Sequence, residues 1–418
     1  MNCRHLFRMG LFSMSETGAL ALQGIRVLDF TWIHAGPSAT RILSDQGAQV
    51  IKVESNQALA VVGGPSSNTT RGLGQRHNWN AGKLSISLNM KIDAGKDLAR
   101  RLVAVSDVVA ENFSGRVMPS WGLDYEGVRQ IKPDIIMLSM SGFGRTGPWK
   151  DRVSYGQTLQ AWSGFTDLTG FPDTRPSGPA SAYSDAVGGM TGAQAVLLAL
   201  IQRANTGRGQ WIDVSQMEAM SALLGPLSLD LSANKTGAQR IGNRLSHGGG
   251  APHGAYRCQG DDRWLAITVF TDEEWGSFVS AIGSPAWTSE DRFATADSRE
   301  EYAVELDRLV ESWTFEQNAE AAMHLLQAVG VAAGVVQTGE DMADNDPQLR
   351  ERGTFQQVPD AAGVLRTIEK APYKLSRTPG SVTRGAPEFG ADQDFVLSEI
   401  LGLTDEELAE AAIAGAFD

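Results

Sequence analysis

Cysteine is almost absent from this chain of 418 residues. The two that occur, Cys3 and Cys258, lie far apart in the sequence. A disulfide framework needs several cysteines at close spacing, and a thiolate metal site needs at least two near one another. The sequence favours neither, and we expect the protein to work in a reducing cytosol.

Positive charge is also in short supply. The chain has 36 Lys and Arg against 49 Asp and Glu, a formal net charge of −13, and we find no local basic stripe. A surface of this sign repels polyanions, so nucleic acid and anionic membranes are disfavoured as partners. The apolar fraction of 42% is ample for buried cores.

Long apolar runs are missing as well. The best candidate for a spanning segment, Ala193–Ile201, is followed by Gln202 and Arg203 and falls well short of the roughly 20 residues that a membrane helix needs. The opening residues 1–22 contain Arg4 and no long apolar core, which is unlike a secretion signal. We expect them to form a flexible leader.

Alternation of strands and helices is the main signal that is present. Residues 24–30 predict a strand, 38–46 a helix that ends at Gly47, and 48–54 a second strand, which together make a βαβ unit. The same alternation continues to about residue 141. It predicts an α/β fold with a doubly wound, Rossmann-like large domain and a smaller α/β domain.

Composition shifts suggest where the domains end. Residues 225–255 are rich in Gly, Ser and Asn with little periodicity, which is typical of a linker. The predicted organisation is a leader, a first part of the large domain, a linker with a glycine loop, a small domain, and a C-terminal return to the large domain: 1–22, 23–224, 225–255, 256–347 and 348–418.

Several familiar site chemistries lack their motifs. The loop after the first strand, residues 32–37, has neither G-x-G-x-x-G nor a P-loop ending, so nucleotide phosphate binding of those kinds is disfavoured. None of the six histidines has a metal-binding partner at helical spacing, so we predict no metal. Residues 141–144, Ser-Gly-Phe-Gly, match only part of a nucleophile elbow.

Asp185 is the most conspicuous candidate for chemistry. It stands directly before an almost wholly apolar segment, residues 186–201, which predicts a buried helix with this carboxylate at its N-terminus. Two interpretations follow from the residues alone. Asp185 is either an N-cap that accepts backbone N–H bonds or a carboxylate nucleophile.

Seven motifs follow one another along the chain. They are GIRVLDF with AGP within 24–37, GAQVIKVE at 47–54, NAGKLSISL at 80–88, ENF at 111–113, SGFGRTGP at 141–148, TGRGQ at 206–210 and APHG at 251–254. In this order they resemble the class III CoA-transferases of the CaiB/BaiF type, the family of formyl-CoA, carnitine and benzylsuccinate CoA-transferases. The resemblance runs from Leu22 to about Glu407.

The resemblance implies that Asp185 is the nucleophile and that coenzyme A, carried as acyl-CoA, is the substrate, with no metal. A carboxylate conserves thioester energy by forming an anhydride and then an aspartyl-CoA thioester. Gly248 and Gly249, within His247-Gly248-Gly249-Gly250, match a glycine loop that closes over the site in some relatives. A flexible linker turn is the alternative interpretation.

The resemblance also implies a CoA-binding surface. It places Ile33, His34 and Ala35 along the pantetheine arm and the entrance to the active site. It places three residues around the adenosine, although strand packing would equally explain the first and third, and a turn the second: Leu88, Asn112 and Phe113.

This chain departs from the family where arginines contact the CoA phosphates. The corresponding positions hold Ser55 and Ser120. Nearby cations could replace the arginines, and the sequence leaves three candidates open: Lys52, Arg76 and Arg116.

Competing functions stay open at this stage. A related α-methylacyl-CoA racemase would need a basic pair where this chain has Tyr155 and Gly156, which ranks it second. A non-catalytic subunit of a hetero-oligomeric transferase is the third. The resemblance implies an interlocked, ring-like homodimer or a heteromer, with succinyl-CoA as a plausible donor and an aromatic acid, such as benzylsuccinate, or a carnitine-type acid as acceptor.

Overall fold

A computed structural model describes residues 20–56, 70–246, 248–360 and 362–417. Most of the predicted leader, and His247, therefore lie outside the described residues. Backbone contacts divide the chain into two compact units. The first comprises the described residues of Met1–Phe165, Pro179–Leu229 and Leu349–Asp418, and the second comprises Thr166–Gly178 and the described residues of Asp230–Gln348.

The first unit is built on a parallel six-stranded sheet in the order β3-β2-β1-β4-β5-β6. This confirms the predicted parallel α/β sheet. Its short Val- and Ile-rich runs are buried on both faces, as parallel strands require. The strands are β1 (Arg26–Asp29), β2 (Gln49–Glu54), β3 (Leu84–Ser87), β4 (Val108–Glu111), β5 (Ile136–Ser141) and β6 (Trp211–Ser215).

Helices cover both faces of this sheet. Successive residues of β1 show why, since Val27 belongs to the apolar core on one face and Leu28 to the core on the other. The helices of this unit up to the centre of the chain are α1 (Ala35–Asp45), α2 (Thr70–Asn80), α3 (Asp93–Ala104), α4 (Val117–Trp121), α5 (Tyr125–Ile131) and α6 (Gly156–Trp162), followed by the short α7 (Phe165–Leu168) at the unit boundary.

The long helix α8 (Tyr183–Thr206) packs against α1 and the sheet through small residues. A Cβ atom added to Gly189 would come within 2.9 Å of the Ala35 carbonyl oxygen, so glycine permits this close approach. The helix ends at Gly207, which adopts a left-handed φ of 69° and donates to the Arg203 carbonyl. By length and composition alone α8 could cross a membrane, but 39% of its apolar window is buried within the chain.

Local structure differs from the sequence prediction at two places. The helix that the alternation predicts over 123–131 forms as α5 but begins at Tyr125, because the Asp124 side chain caps it by accepting from the Gly127 N–H at 3.1 Å, and the short α4 before it is an addition. The predicted linker begins with a helix, α10 (Gly225–Asn234), which follows α9 (Gln216–Ala222). Pro226 at its first turn favours that start.

The second unit contains a three-stranded antiparallel sheet, in the order β7-β8-β9. Its helix α11 begins with a capping box, in which the Thr271 hydroxyl accepts from Glu274 and the Glu274 side chain accepts in return. The elements are β7 (His253–Arg257), β8 (Trp264–Thr268), α11 (Asp272–Ala281), α12 (Ala296–Glu301), α13 (Ala303–Thr314), α14 (Ala319–Ala328) and β9 (Ala332–Val335).

The C-terminal residues complete the first unit. After α15 (Pro347–Arg352), the strands β10 (Phe355–Pro359) and β11 (Leu365–Glu369) form an antiparallel hairpin. The last helix, α16 (Asp405–Ile413), is followed by Ala416, which is buried in the sheet core and accepts a hydrogen bond from the Asn89 N–H at 2.8 Å.

Candidate active site

Asp185 lies in the first turn of α8, two residues after the helix begins. Ala182 occupies the N-cap position without a side-chain cap bond, so the cap interpretation of Asp185 is not what the structure shows. The Asp185 side chain is only 15% exposed, and burial raises the pKa of its carboxyl to about 6. At neutral pH it is an ionised carboxylate in a poorly hydrated position, stabilised by the positive end of the helix dipole.

Helix α6 holds the start of α8 in place. The Gln160 amide oxygen accepts the Tyr183 N–H at 2.7 Å, and the Ser184 hydroxyl donates to the Gly156 carbonyl at 3.0 Å. A Cβ atom on Gly156 would lie 2.6 Å from Asp185 Oδ2 and 2.5 Å from Ala182 Cβ. The first residue of α6 must therefore be glycine for the carboxylate to occupy this position.

His34 approaches Asp185 from the loop between β1 and α1. Its Nδ1 atom lies 3.8 Å from Asp185 Oδ2, and burial lowers the pKa of the imidazole to about 4. The imidazole is therefore neutral when Asp185 is ionised, and the two groups do not form an ion pair at neutral pH. The indole ring of Trp79 stacks on the imidazole, with ring centroids 4.0 Å apart and planes 16° apart.

A buried polar network fixes the loop that carries His34. The Asp29 carboxylate accepts from the Thr31 N–H and hydroxyl, and the fully buried Lys83 ammonium donates to Asp29 at 3.1 Å and to the Pro37 carbonyl at 3.0 Å. Burial acts to raise the pKa of Asp29, but Lys83 and its other hydrogen-bonding neighbours bring it below the usual value. The network clamps both ends of the loop at residues 31 and 37.

Lys52 belongs to the same framework. It is buried, and its ammonium donates to the Thr31 carbonyl at 2.6 Å. Its candidacy as a CoA phosphate ligand is therefore wrong. Arg76 is directed to Glu54 and the Pro387 carbonyl at 3.4 and 3.3 Å, whereas the Arg116 side chain is 85% exposed. Arg116 is the candidate that presents its guanidinium to solvent.

Asn112 joins the loops after β1 and β4, which meet where the strand order reverses. Its amide oxygen accepts the Trp32 N–H and its amide nitrogen donates to the Trp32 carbonyl, both at 2.9 Å. The Phe113 ring lies 6.1 Å from Trp32 and 5.4 Å from Trp121 in an aromatic group. This reversal point is where ligands of doubly wound sheets bind.

The remaining predicted CoA contacts differ in what they offer. Ile33 adopts a left-handed φ of 66°, a strained conformation for a β-branched residue, and Ala35 is buried at the start of α1. Leu88 is fully buried in the sheet core, so its side chain has no surface for adenosine. Packing is the interpretation that the structure supports for Leu88, and we propose no CoA contact for its side chain.

Gly248 and Gly249 lie in the second unit. Both have left-handed φ angles, 71° and 96°, and the Gly249 N–H donates to Glu300 at 3.1 Å. A Cβ atom on Gly248 would lie 3.0 Å from the same carboxylate. Glycine is thus required by the local backbone, and the predicted role of this loop as a lid stays a prediction.

A cavity of about 350 Å³ adjoins the Asn112 loop. Its lining includes Arg145, whose guanidinium donates to both oxygens of Glu111 at 2.5 and 2.6 Å. Residues that line it include Glu111, Arg116, Met118, Tyr125, Arg145 and Trp211. Among the described residues no group of three or more His, Cys, Asp or Glu side chains is arranged to hold a metal ion.

Sequence reasoning missed three residues of this site. Trp79 directly precedes the NAGKLSISL motif, Lys83 lies within it, and Gly156 stands out in the sequence only as a missing racemase base. The signals available were a lysine directly before a predicted strand and a glycine at a helix start. Neither signal indicates the neighbours, which come from distant parts of the chain.

The fold and site define a class, an α/β protein with a buried carboxylate at a helix N-terminus beside the ligand crevice of a doubly wound sheet. The profile of CoA-transferase family III matches residues 22–393. The chain belongs to CoA-transferase family III.

Two curated relatives align with this chain over almost their whole length. Succinyl-CoA–D-citramalate CoA-transferase of Chloroflexus aurantiacus is 31% identical, covering 93% of this chain and 96% of that protein. Succinate–glutarate CoA-transferase of Agrobacterium fabrum is 32% identical, covering 91% and 95%. The crystal structure of a CaiB/BaiF family protein from Brucella suis superimposes with a TM-score of 0.83 at 31% identity, over 91% of this chain and 100% of that one.

Proposed function

We propose that this class III CoA-transferase moves CoA from succinyl-CoA to a carboxylic acid, with Asp185 as the nucleophile. The observation that carries the proposal is the buried Asp185 carboxylate at the start of α8, facing His34 across 3.8 Å. Three relatives are named for succinyl-CoA or succinate, which supports this donor.

The reaction begins with attack of the Asp185 carboxylate on the acyl carbon of the donor. The carbon–sulfur bond breaks, CoA leaves as a thiolate, and an aspartyl-acyl anhydride remains. The thiolate then attacks the Asp185 carbonyl carbon, releasing the donor acid and forming an aspartyl-CoA thioester.

The free Asp185 carboxylate is regenerated by the same two kinds of step in reverse order. The acceptor carboxylate attacks the aspartyl thioester to give a new anhydride and free thiolate. The thiolate attacks the acceptor acyl carbon, which forms the product thioester and restores the Asp185 carboxylate. Both halves depend on excluding water, and the small exposed fraction of Asp185 supports that.

The CoA molecule would lie along the loops after β1 and β4. His34 lies 3.8 Å from Asp185, and Ile33 and Ala35 are its neighbours in the same loop. Asn112 is hydrogen-bonded to Trp32 of that loop, and the Phe113 ring lies 6.1 Å from the Trp32 ring. Arg116 is the proposed phosphate contact because its side chain is exposed. Gly248 and Gly249 are the proposed lid.

The acceptor acid is best identified by a panel. It should include D-citramalate, glutarate and oxalate, because relatives are named for them, together with the aromatic and carnitine-type acids that the sequence suggested. Mass spectrometry of product thioesters formed from succinyl-CoA identifies the acceptor. If no acid in the panel accepts CoA from succinyl-CoA, this choice of donor is wrong.

A trapping experiment tests the nucleophile. Hydroxylamine or borohydride added during turnover should modify Asp185, and peptide mass spectrometry locates the adduct. Asp185→Asn should give no label, whereas Asp297→Asn, which changes an exposed aspartate in the first turn of another helix, should label normally. An adduct at another residue, or none in an active preparation, contradicts the assignment.

We also propose that the active protein is an oligomer in the cytosol. On α8, Met190, Leu198 and Ile201 are 57%, 61% and 60% exposed, an apolar surface suited to a partner chain. A homodimer is the simplest form. One relative is named as the beta subunit of a succinyl-CoA–L-malate CoA-transferase, so light scattering and activity of the purified chain should be measured together.

A racemase is the second candidate, and the site argues against it. Tyr155 is 58% exposed and Gly156 has no side chain, so neither offers a buried base to remove an α-proton. Acyl-CoA that carries deuterium at the α-carbon should keep its label when it is incubated with the enzyme in H₂O. Unlabelled acyl-CoA should take up no deuterium at the α-carbon from D₂O.

A further inference from the structure

Trp79 is a half-buried residue near the end of α2 whose ring lies outside the apolar cores of the described residues. Instead, the indole covers one face of the His34 imidazole, with ring centroids 4.0 Å apart and an interplanar angle of 16°. A tryptophan that stacks on a single polar ring beside a reactive carboxylate is poorly explained by core packing.

The residues on both sides of Trp79 are anchored. The Asn78 carbonyl accepts from the Arg41 guanidinium, and the Asn78 amide donates to Glu369 at 2.7 Å. The Asn80 amide oxygen accepts from Lys83 at 3.1 Å. The backbone that carries the indole is therefore held on both sides, and the indole itself contacts the imidazole.

The imidazole is held between this surface and Asp185. Its Nδ1 atom is 3.8 Å from Asp185 Oδ2, beyond hydrogen-bond length, and such contacts commonly shorten when substrate binds. Because burial keeps the ring neutral, one ring nitrogen carries a proton and the other does not. A carboxylate opposite Nδ1 favours the tautomer with the proton on that nitrogen.

We propose that Trp79 is a positioning residue that holds the His34 imidazole so that its Nδ1–H donates to the Asp185 oxygen during acyl transfer. The proposal rests on the proposed role of Asp185 as nucleophile. When the CoA thiolate or the acceptor attacks the Asp185 carbonyl carbon, negative charge develops on that oxygen. The Nδ1–H stabilises it as a hydrogen-bond donor, and the proton stays on Nδ1.

The stack matters because a donor must already point at the oxygen where charge develops. Removing one such donor typically lowers kcat by about 100- to 1,000-fold. Without the indole, the imidazole can rotate about its side-chain bonds and the donor is lost for part of the time. Trp79 thus contributes to kcat through His34 without touching the reacting atoms.

The test is a double-mutant cycle with succinyl-CoA as the acyl donor. Trp79→Leu should lower kcat by about tenfold or more with KM changed less than about twofold, a loss within the range for misplaced catalytic groups. Trp79→Phe, which keeps an aromatic face, should retain most of the rate. In a His34→Gln background, Trp79→Leu should cause little further loss.

The outcomes separate the two proposals. Equal losses from Trp79→Leu in the wild-type and His34→Gln backgrounds would show that Trp79 supports the fold and not His34, which overturns the positioning role. A Trp79→Phe variant as poor as Trp79→Leu would also overturn it. Failure of hydroxylamine to label Asp185 in the wild-type enzyme would instead refute the nucleophile itself.

Discussion

Gly156 and Asp185 occupy adjoining space that leaves no room for a side chain at position 156. A Cβ atom at position 156 would lie 2.6 Å from Oδ2 of the carboxylate, so the absence of a side chain on the first residue of α6 allows the carboxylate its position. The two residues come from different helices, which Ser184 and Gln160 tie together. The position of the nucleophile is therefore set by packing as much as by the helix that carries it.

Gly156→Ala should lower kcat by about 100-fold, because displacing a reacting group by about 1 Å costs roughly that much. Steady-state kinetics with succinyl-CoA measures it. Gly276→Ala is the matched control, since Gly276 is a helical glycine with open space around it and should keep its full rate. A Gly156→Ala enzyme with normal kcat would show that the carboxylate does not react from this position.

Asp185→Asn should abolish transfer and stabilise the fold at neutral pH. Burial raises the pKa of Asp185 from 3.8 to about 6, so the folded state binds the proton more tightly than the unfolded state does. Ionisation therefore costs stability progressively as pH rises from about 4 to 6, by at most about 3 kcal/mol above that window.

Chemical denaturation at two pH values checks this. The variant should be more stable than the wild type at pH 7.5, and the difference should nearly vanish at pH 4. Asp297→Asn, on an exposed residue, should show no such pH-dependent difference. A destabilised Asp185→Asn at pH 7.5 would mean that the carboxylate makes favourable contacts beyond those described.

The pH dependence of kcat/KM reports the same group. Only the ionised carboxylate attacks a thioester, so kcat/KM for succinyl-CoA should rise through a midpoint near pH 6 and then level off. His34, with its pKa lowered to about 4, stays neutral across that range and adds no second step. A flat profile between pH 5 and 8, with the fold intact by circular dichroism, would contradict the pKa of Asp185.

Lys83→Met should destabilise the protein by about 3–5 kcal/mol, because it removes the cation that contacts the buried Asp29 carboxylate. Adding Asp29→Asn should recover part of that loss, since it removes the orphaned charge. Urea denaturation of the single and double variants measures both effects. Lys91→Met, on an exposed lysine, should change stability little, and an equally small effect at Lys83 would contradict the proposed network.

Much of the fold was predictable because it depends on local pattern. The runs around Val27, Val50 and Val108 are short, apolar and separated by helical segments, and they became neighbouring parallel strands. Helix α10 was missed because its leucines do not clearly follow a helical period. Whether such a segment is a helix or a loop depends on the parts of the chain that surround it. Helix α4 was missed because its five residues are too few to show a helical period.

The site divides in the same way. Motif order singled out Asp185 and His34, and the structure brings them within 3.8 Å. It also shows that Leu88 and Lys52 are buried parts of the framework, a distinction that the sequence could not make because both follow strand-like patterns. Glycine spacing around 248 indicated a loop, while the contact with Glu300 depends on a residue distant in sequence.

By itself, the sequence determined the alternation of strands and helices, the family, and the aspartate at the head of a long apolar helix, since periodicity and motif order are properties of neighbouring residues. Only the tertiary structure decided that Trp79 lies on His34, that Gly156 confines Asp185 and that Lys83 holds the loop that carries His34. These contacts join residues far apart in the chain, and which side chains meet there is settled by how helices and strands pack, which no local pattern encodes.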